Sequence, residues 1–262
     1  MSSSSVSLHR FSASLRAIDR KTARSANAAP GMSGRLRGLF SHITPRLKEF
    51  DAGDILLPER HVCTALLFLE DGWACRFVTT RDGKRHSAAA IVPGDCVNLE
   101  AIVADEMDCG VQMLTPGKLH SIPLAAVRDA YGHVNEVAQL ASSLAMMEKA
   151  ILAQHTLRLG RMAARERLMH LLCELVYRTG HGGHGRPGDP MEVPLTQEWL
   201  ADLLGLTTVH VNRTLQQLRS EGLLESRSHR VVVPDVEALR LLCDFDPRYL
   251  AAHGPSPGSY QR

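Results

Sequence analysis

The stretch that decides the fold runs from Leu195 to Pro234 and begins LTQEWLADLLGLTTVHVNRTL. It predicts a helix-turn-helix, because two helices that cross over a short turn need a small side chain where their backbones touch. Ala201 supplies that small side chain, Gly205 tolerates the unusual backbone angles of the turn, and Val211 anchors the second helix. The spacing favours a DNA-reading unit over a helical hairpin in a protein core, and residues 226–233 are predicted to form a β-wing.

The second helix of this unit has two chemically different faces. One face is apolar and should pack against the first helix; the residues are Val211, Leu215 and Leu218, facing Leu200 and Leu204. Residues 207–219 contain no acid, which suits a groove lined by phosphates. We expect the opposite face to enter the major groove, and it is made of Val209, His210, Asn212, Arg213, Gln216 and Gln217.

Individual roles follow from the chemistry of these side chains. Arg213 is the predicted base reader, since its fork matches O6 and N7 of guanine, with a contact to phosphate alone as the alternative. Thr207, Thr208 and His210 stand at the start of the second helix, where phosphate is usually held, although His210 could instead reach a base edge. Thr196 should cap the first helix. The predicted DNA-binding set is Thr196, Thr207, Thr208, Val209, His210, Asn212, Arg213, Gln217 and, in the wing, Arg227 and Arg230.

Short apolar runs between Leu47 and Pro123 predict a jelly-roll β-barrel upstream of this unit. Turns that contain an acid and a glycine separate the runs, at 51–54, 70–72, 81–84 and 93–95. Such turns between strand-length segments are hairpin signals, and many short strands with regular turns are typical of barrels.

A long helix follows the barrel and carries an apolar seam. Leu140, Leu144, Met147 and Ile151 step by four, three and four residues, a period that allows a helix to pair with a copy of itself. We therefore predict a homodimer with these residues at the interface, because a helix-turn-helix usually reads two half-sites related by a two-fold axis. Packing of the helix on its own barrel is the alternative.

The composition of the chain excludes other classes of protein. Its 262 residues carry a net charge of +2 and contain no run of about 18 apolar residues, so neither a transmembrane helix nor a membrane partner is expected. The six cysteines are scattered without a close pair, which predicts reduced thiols in a cytoplasmic protein. An enzyme is not predicted, because the chain has no nucleophile elbow, phosphate loop or metal pair, and the loop residues His181 and His184 are not expected to bind metal.

The predicted architecture is α+β. The first residues are rich in serine and arginine, with Asp19 as the only acid before residue 36, which predicts a disordered tail; an organellar transit peptide has a similar composition. The expected organisation is a tail over 1–35, an N-terminal jelly-roll sensor over 36–130, a dimerisation helix over 131–160, a C-terminal winged helix-turn-helix over 161–250 and a tail over 251–262.

This order of elements resembles the Crp/Fnr family of bacterial transcription regulators. The resemblance covers about residues 40 to 245 and is carried by the β-roll turn at 93–95, the long helix over 134–157, the helix-turn-helix at 201–211 and the wing at 221–234. It implies a cyclic-nucleotide-binding-type roll, a dimerising helix and a winged helix-turn-helix that regulates transcription. Arg213 falls where the family has a base-contacting Arg, whereas Val209 replaces a Glu of the best-known members, so their half-site does not carry over.

The resemblance also raises the question of an effector. Members that bind cyclic AMP use a Glu after the Gly-Asp turn and an Arg-Ser or Arg-Ala pair some ten residues later. Residues 95–112 contain no Arg, Lys, Ser or Thr, and Glu100 lies one position from the expected Glu, so cyclic AMP is not expected to bind. An iron–sulfur cluster is not expected, because residues 1–62 contain no cysteine. No cofactor is predicted, although haem stays open on Cys75, His61 and His86, and a redox role for Cys96 and Cys109 would require that they lie close together.

The expected partners are double-stranded DNA with a palindromic operator, a second copy of the chain, and an unknown small-molecule effector or none; RNA polymerase is a further candidate. The competing hypothesis is a ligand-, haem- or redox-sensing module whose helix-turn-helix serves mainly protein contact. The acid-free face with Arg213 favours the DNA reader, because protein contact alone would not require it.

Overall fold

The computed structural model describes residues 32–43, 46–180, 191–227 and 230–250. Outside the described residues lie most of the predicted N-terminal tail, the loop with His181 and His184, the wing tip at 228–229 and the C-terminal tail. In the described part, an antiparallel roll, a long helix and a winged helix-turn-helix follow one another along the chain, which confirms the predicted α+β architecture.

Seven strands form the roll as two antiparallel sheets, with the orders β2-β6-β4-β5 and β1-β7-β3. The strands are β1 (Arg46–Phe50), β2 (Ile55–Leu57), β3 (Ala65–Asp71), β4 (Ala74–Thr79), β5 (Arg85–Ile91), β6 (Gly110–Met113) and β7 (Gly117–Pro123). A short 3-10 helix, Leu99–Ile102, lies between β5 and β6. Gly72 shows why the turns need glycine, since its φ is +85° and a Cβ there would lie 2.6 Å from the carbonyl oxygen of Pro116.

The roll begins with a helix that the sequence did not predict. Helix α1 (Met32–Leu39) places Leu36 and Leu39 in the roll's core, and Phe40 follows them there. Residues 32–35, predicted to end the disordered tail, are therefore helical. The arginine-rich composition predicts disorder, but three large apolar side chains are buried here. Their burial offsets the conformational entropy that the segment loses when it becomes helical.

Two helices leave the roll, α2 (Leu124–His133) and the long α3 (Asn135–Arg161). The predicted dimer seam lies on the side of α3 that faces its own protomer. Leu140 and Leu144 are buried in the roll's core, Met147 packs against that core, and Ile151 is also buried. Leu140, Leu144 and Met147 thus pack on the roll of their own protomer, which is the alternative arrangement that the sequence allows.

The C-terminal domain starts with α4 (Ala164–Gly180) and contains two crossing helices, α5 (Gln197–Leu204) and α6 (Thr208–Ser220). Three short strands, β8 (Met191–Val193), β9 (Glu225–Arg227) and β10 (Arg230–Val233), form a sheet in the order β8-β10-β9. Helix α7 (Val236–Leu242) and a 3-10 helix, Pro247–Leu250, close the described chain. No helix of the described residues is long and apolar enough to cross a membrane.

The roll and the C-terminal domain share a hydrophobic core. Trp73, Ala90 and Val92 of the roll belong to the same buried cluster as the apolar side chains of α4, α5 and α6. A polar contact adds to this packing, because the Asp202 carboxylate of α5 accepts a hydrogen bond from the Ser87 backbone N–H of β5 at 2.8 Å. The helix-turn-helix formed by α5 and α6, called the reader below, thus contacts β5, the edge strand of one roll sheet.

Candidate DNA-reading face and sensor cavity

The turn between α5 and α6 is fixed by local hydrogen bonds. The Thr196 hydroxyl accepts from the Trp199 N–H at 3.3 Å, and the Thr207 hydroxyl accepts from the His210 N–H at 3.2 Å. Each threonine therefore caps the first turn of its helix. Gly205 ends α5 with φ +60° and ψ 39°, a left-handed conformation that most side chains disfavour.

The apolar face of α6 is buried as predicted. Val211, Leu215 and Leu218 lie in one core cluster with Leu200 and Leu204 of α5. Thr214, which the sequence did not single out, is also buried on this side, and its hydroxyl donates to the His210 carbonyl oxygen at 2.9 Å. This packing fixes the rotation of α6 about its axis and so determines which side chains reach solvent.

The other face of α6 presents the predicted readers to solvent. Val209 is 69% exposed, His210, Arg213 and Gln217 are exposed, and Asn212 is half-buried at the edge. Among the described residues, the Arg213 side chain has neither an ion pair nor a hydrogen bond, so its guanidinium is available to a ligand. Gln217 is less available, because its amide donates to the Glu221 carboxylate at 3.1 Å.

The remaining predicted contacts lie on either side of this face. Thr196, Thr207 and Thr208 are exposed at the starts of α5 and α6. In the wing, Arg230 is held by Glu192, with Nη1 and Oε2 3.1 Å apart, so its charge is partly neutralised before any phosphate approaches. Arg227 belongs to strand β9, and its side chain lies outside the described part of the structure.

Arg167 links the long helix to the reader, a role that the sequence did not reveal. Its guanidinium donates to the carbonyl oxygens of Leu159 and Met162, both at 3.1 Å, and to that of Leu204 at 2.7 Å. The end of α3, the segment after it and the end of α5 are thereby held by one side chain. Helix-terminal carbonyl groups need such donors, but only the tertiary fold shows which residue supplies them.

A cavity of about 630 Å³ lies between the roll and α3. Its walls are mostly apolar and include Ala88, Ile91, Leu99, Leu144 and Ile151. A space of this size, with mostly apolar walls and a group of charged side chains at one side, is typical of a small-molecule site.

At one side of the cavity, Arg76 of β4 reaches the acidic segment that follows the roll turn. Its guanidinium lies 3.1 Å from the Glu148 carboxylate and 3.5 Å from that of Glu100, and it donates to the Val97 carbonyl oxygen at 3.0 Å. Residues 95–112 contain no cation of their own, as the sequence shows, but a cation from another strand faces them. Burial alone would lower the pKa of Arg76, but the two carboxylates raise it overall.

A second charged cluster is buried where α3, α4 and the roll meet. Arg158 and Glu174 are each 2% exposed, and Nη1 of the first lies 2.7 Å from Oε2 of the second. Arg178 donates to the Asp95 carboxylate at 2.6 Å, and the Tyr249 hydroxyl donates to Glu174 at 2.8 Å. Burial favours the neutral form of Glu174, but Arg158 and Arg178 lower its pKa overall, so the carboxylate stays charged.

The three residues that left haem open in the sequence, Cys75, His61 and His86, have different environments. The His86 ring is 3.5 Å from the Asp202 carboxylate at the contact between roll and reader, and His61 is exposed. Burial raises the pKa of the Cys75 thiol to about 12, which disfavours the thiolate. The described residues contain no cluster of three or more His, Cys, Asp or Glu side chains that could hold a metal ion.

Comparison with known proteins agrees with this architecture. A model of the cyclic nucleotide-binding domain matches residues 47–133, and a model of the Crp-like helix-turn-helix domain matches residues 166–242. The nitrogen fixation regulation protein FixK of Rhizobium meliloti is 29% identical over 170 residues, which cover 62% of this chain and 71% of that protein. The anaerobic regulatory protein of Pasteurella multocida is 23% identical over 200 residues, covering 76% of this chain and 72% of that protein.

Solved structures show the same fold. FixK2 from Bradyrhizobium japonicum superposes with a TM-score of 0.68 at 23% identity, covering 76% of this chain and 98% of that one. The fold and the exposed helix-turn-helix define a class of transcription regulators with a sensor roll and a winged DNA-binding domain. Within that class, the chain belongs to the Crp/Fnr family.

The cyclic nucleotide-binding domain model matches the roll, but the segment after the roll turn lacks side chains that such a ligand needs. The phosphate of such a ligand needs a cation and a hydroxyl group, and residues 95–112 supply neither. The guanidinium groups that line the cavity are already held by carboxylates: Arg76 by Glu148, Arg158 by Glu174, and Arg178 by Asp95. A phosphate would have to displace one of these carboxylates.

Proposed function

We propose that this regulator is a homodimer that recognises a specific operator, with α6 of each protomer in the major groove. The observation that carries this proposal is the exposed, acid-free face of α6, opposite a packed apolar face, with an Arg213 that has no partner among the described residues. Arg213 contacts guanine, and the capped starts of α5 and α6 hold phosphates through Thr196, Thr207 and Thr208. The wing adds phosphate contacts through Arg227 and Arg230.

Loss of the Arg213 guanidinium tests this assignment. Arg213→Ala should weaken binding to a selected operator by about 10- to 100-fold, while binding to unrelated DNA changes much less. Arg248→Ala is the matched control, because it removes one positive charge from an exposed position of the same domain that lies away from α6. Equal losses in the two variants, or none in Arg213→Ala, would favour the competing hypothesis that the helix-turn-helix serves protein contact.

The operator differs from that of the best-known family members. Val209 occupies an exposed position near the start of α6, where it can contact a thymine methyl group but cannot accept a hydrogen bond from a base. At the base pair that faces Val209, any preference should therefore come from apolar contact with thymine and not from a hydrogen bond. His210 and Asn212, beside it on the same helix, supply polar contacts to phosphate or base edges.

We infer that the dimer forms through the exposed face of α3 opposite the Leu140 seam, part of which also lines the cavity. Three large apolar side chains are exposed there: Met146 by 59%, Leu152 by 55% and Leu157 by 43%. These side chains belong to an exposed strip along α3 that also contains the small residues Ala145, Ala153 and Gly160. Ala145 lies seven residues before Leu152, and Met146, Ala153 and Gly160 follow one another at intervals of seven. A seven-residue repeat of apolar and small side chains is what two helices need to pair along their length. The proposed interface therefore lies on the face of α3 opposite the Leu140 seam that the sequence predicts.

An acidic substitution in the strip tests the dimer. Leu152→Glu should convert the protein to a monomer in analytical ultracentrifugation, because two charges would be buried side by side at the two-fold axis. Leu241→Glu is the matched control, since Leu241 is also an exposed helical leucine but lies on α7. A dimer that persists in Leu152→Glu would place the interface elsewhere.

We propose that the cavity between the roll and α3 is the sensor site and that its effector is not a cyclic nucleotide. The apolar walls and the internally neutralised guanidinium groups support a ligand with little or no negative charge. Calorimetric titration of the reduced protein with cyclic AMP and cyclic GMP should show no binding at millimolar concentration. Micromolar binding of either nucleotide would overturn this part of the proposal.

A further inference from the structure

We propose that Cys173 and Cys243 form an oxidation site, at which a peroxide converts the two thiols into a disulfide within the DNA-binding domain. Their Sγ atoms lie 4.0 Å apart, although the residues are 70 positions apart in the sequence. Cys173 is buried in the middle of α4, and Cys243 directly follows α7. In the described part of the chain, no other two cysteine side chains are in such contact. The inference does not depend on DNA binding.

Closing the pair requires a movement that the end of α7 can supply. A disulfide requires the sulfur atoms to come to about 2.05 Å, so they must approach by about 2 Å. Cys243 is the partner that can move, because it ends a helix of 7 residues whose last two side chains, Leu241 and Leu242, are exposed. The thiol is held at that end by a hydrogen bond to the Leu239 carbonyl oxygen at 3.2 Å.

The positions of the two thiols assign their roles. Cys243 is the nucleophile, because it is 8% exposed at a helix end whereas Cys173 is fully buried, and the hydrogen bond with Cys173 lowers the pKa of the Cys243 thiol. Its thiolate attacks one peroxide oxygen and the O–O bond breaks; the leaving hydroxide takes up the proton that the Cys243 thiol had released, which gives a sulfenic acid and one molecule of water. The Cys173 thiol then attacks the sulfenic sulfur, the disulfide forms, and a second water leaves. The two thiols are oxidised by two electrons, and the peroxide accepts them.

The cysteines of the roll have a different environment. Burial raises the pKa of Cys75 to about 12, that of Cys109 to about 11, and that of Cys96 well above its usual value. These thiols stay protonated at neutral pH, and in the described part of the chain none of them is in hydrogen-bond contact with another thiol. Cys96 and Cys109, which the sequence left open as a redox pair, are not in hydrogen-bond contact with each other. Oxidation should therefore be selective for Cys173 and Cys243.

The disulfide would close a loop of the chain that contains the whole helix-turn-helix. The loop between the two cysteines contains α5, α6 and the described strands of the wing. Beyond Cys243, the chain returns to the junction below the roll, where Phe245 packs on His170 and the Tyr249 hydroxyl donates to Glu174. Fixing Cys243 to α4 would hold this returning segment against the buried ion pair.

Peptide mapping tests the proposal on the full chain. The reduced protein is treated with hydrogen peroxide under native conditions, unreacted thiols are alkylated in denaturant, and tryptic peptides are analysed by mass spectrometry. We expect peptides 168–178 and 241–248, which contain Cys173 and Cys243, to appear as one species with the mass of two hydrogen atoms lost. The thermal unfolding midpoint should rise by about 5 °C or more and return on reduction with dithiothreitol.

Two variants separate the pair from general oxidation. Cys243→Ser should abolish both the linked peptide and the rise in midpoint, whereas Cys109→Ser, a change at a partly exposed roll thiol, should leave both intact. The proposal would be overturned if the native protein kept both thiols alkylatable, or if Cys173 and Cys243 were linked no more often than other cysteine pairs.

Discussion

The reading face and the junction below the roll use arginine in opposite ways. Arg213 on α6 is exposed and unpaired among the described residues, whereas Arg158 on α3 is 2% exposed and paired with an equally buried Glu174. The first charge is left for a ligand, so the fold should hardly depend on it. The second is part of the fold itself, because each buried charge is tolerated only while its partner remains. Mutations in the two regions should therefore separate binding from stability.

The largest expected effect comes from breaking the buried pair. Arg158→Leu leaves the Glu174 carboxylate buried with Arg178 as its remaining cationic neighbour, and the free energy of unfolding should fall by about 3–5 kcal/mol. Urea denaturation measures this loss. Arg248→Leu is the control, because it removes an exposed Arg that pairs with Asp246, and it should leave the midpoint unchanged. Similar urea midpoints for the two variants would show that the buried Arg158–Glu174 pair does not contribute to the free energy of unfolding.

Next in size is the pH dependence that His170 gives to the same junction. Burial, and then the nearby Arg158, lower the pKa of His170 from 6.5 to about 4. In the unfolded chain the ring takes up its proton near pH 6.5, while the folded protein resists it, so stability should fall as the pH drops from 6.5 to about 4. Urea midpoints at several pH values should therefore fall less steeply in His170→Gln. Parallel slopes for this variant and the wild type would contradict the assignment.

A smaller effect is expected at the turn of the reader. Gly205→Ala should cost about 1–2 kcal/mol, because alanine disfavours the left-handed conformation, and its Cβ would meet the Leu159 side chain at 3.3 Å. Gly132→Ala, in α2 where a Cβ meets nothing within 4 Å, is the matched control and should be neutral or slightly stabilising. Thermal unfolding of the two variants gives the comparison, and a neutral Gly205→Ala would remove the conformational argument for the turn.

The smallest stability effect should come from the cap of α6. Thr207→Ala removes the hydroxyl that accepts from the His210 N–H, which should cost about 1 kcal/mol. Thr207→Ser keeps the hydroxyl and should retain most of that stability. In operator titrations both substitutions report on the phosphate contact, and the alanine variant should bind more weakly than the serine variant. Equal affinities would mean that Thr207 is a cap alone.

Local patterns predicted the reader well, since its geometry depends on residues close in the sequence. Ala201, Gly205 and Val211 identified the helix-turn-helix, and the apolar period of α6 identified the face that is buried. The roll turns were equally local, because the acid and glycine that form each of them are adjacent. The α+β architecture followed from these signals alone.

Contacts between distant parts of the chain could not be predicted in this way. The Leu140 seam has the right period for pairing, but the period does not say whether the roll or a partner covers it. The cation that faces Glu100 comes from Arg76, 24 residues earlier, and no spacing rule relates the two. The buried cluster of Arg158, Glu174 and Arg178 gave no signal either, because charged side chains are usually read as exposed.

Selection of DNA sites from a random library by the purified protein shows directly whether a homodimer reads a two-fold operator through Arg213. We expect an enriched palindrome whose half-sites lie one helical turn apart, with a guanine preference in each half-site that disappears in Arg213→Ala. This proposal would be contradicted if no sequence were enriched, if the enriched site had no two-fold symmetry, or if Arg213→Ala selected the same palindrome with the same base preferences.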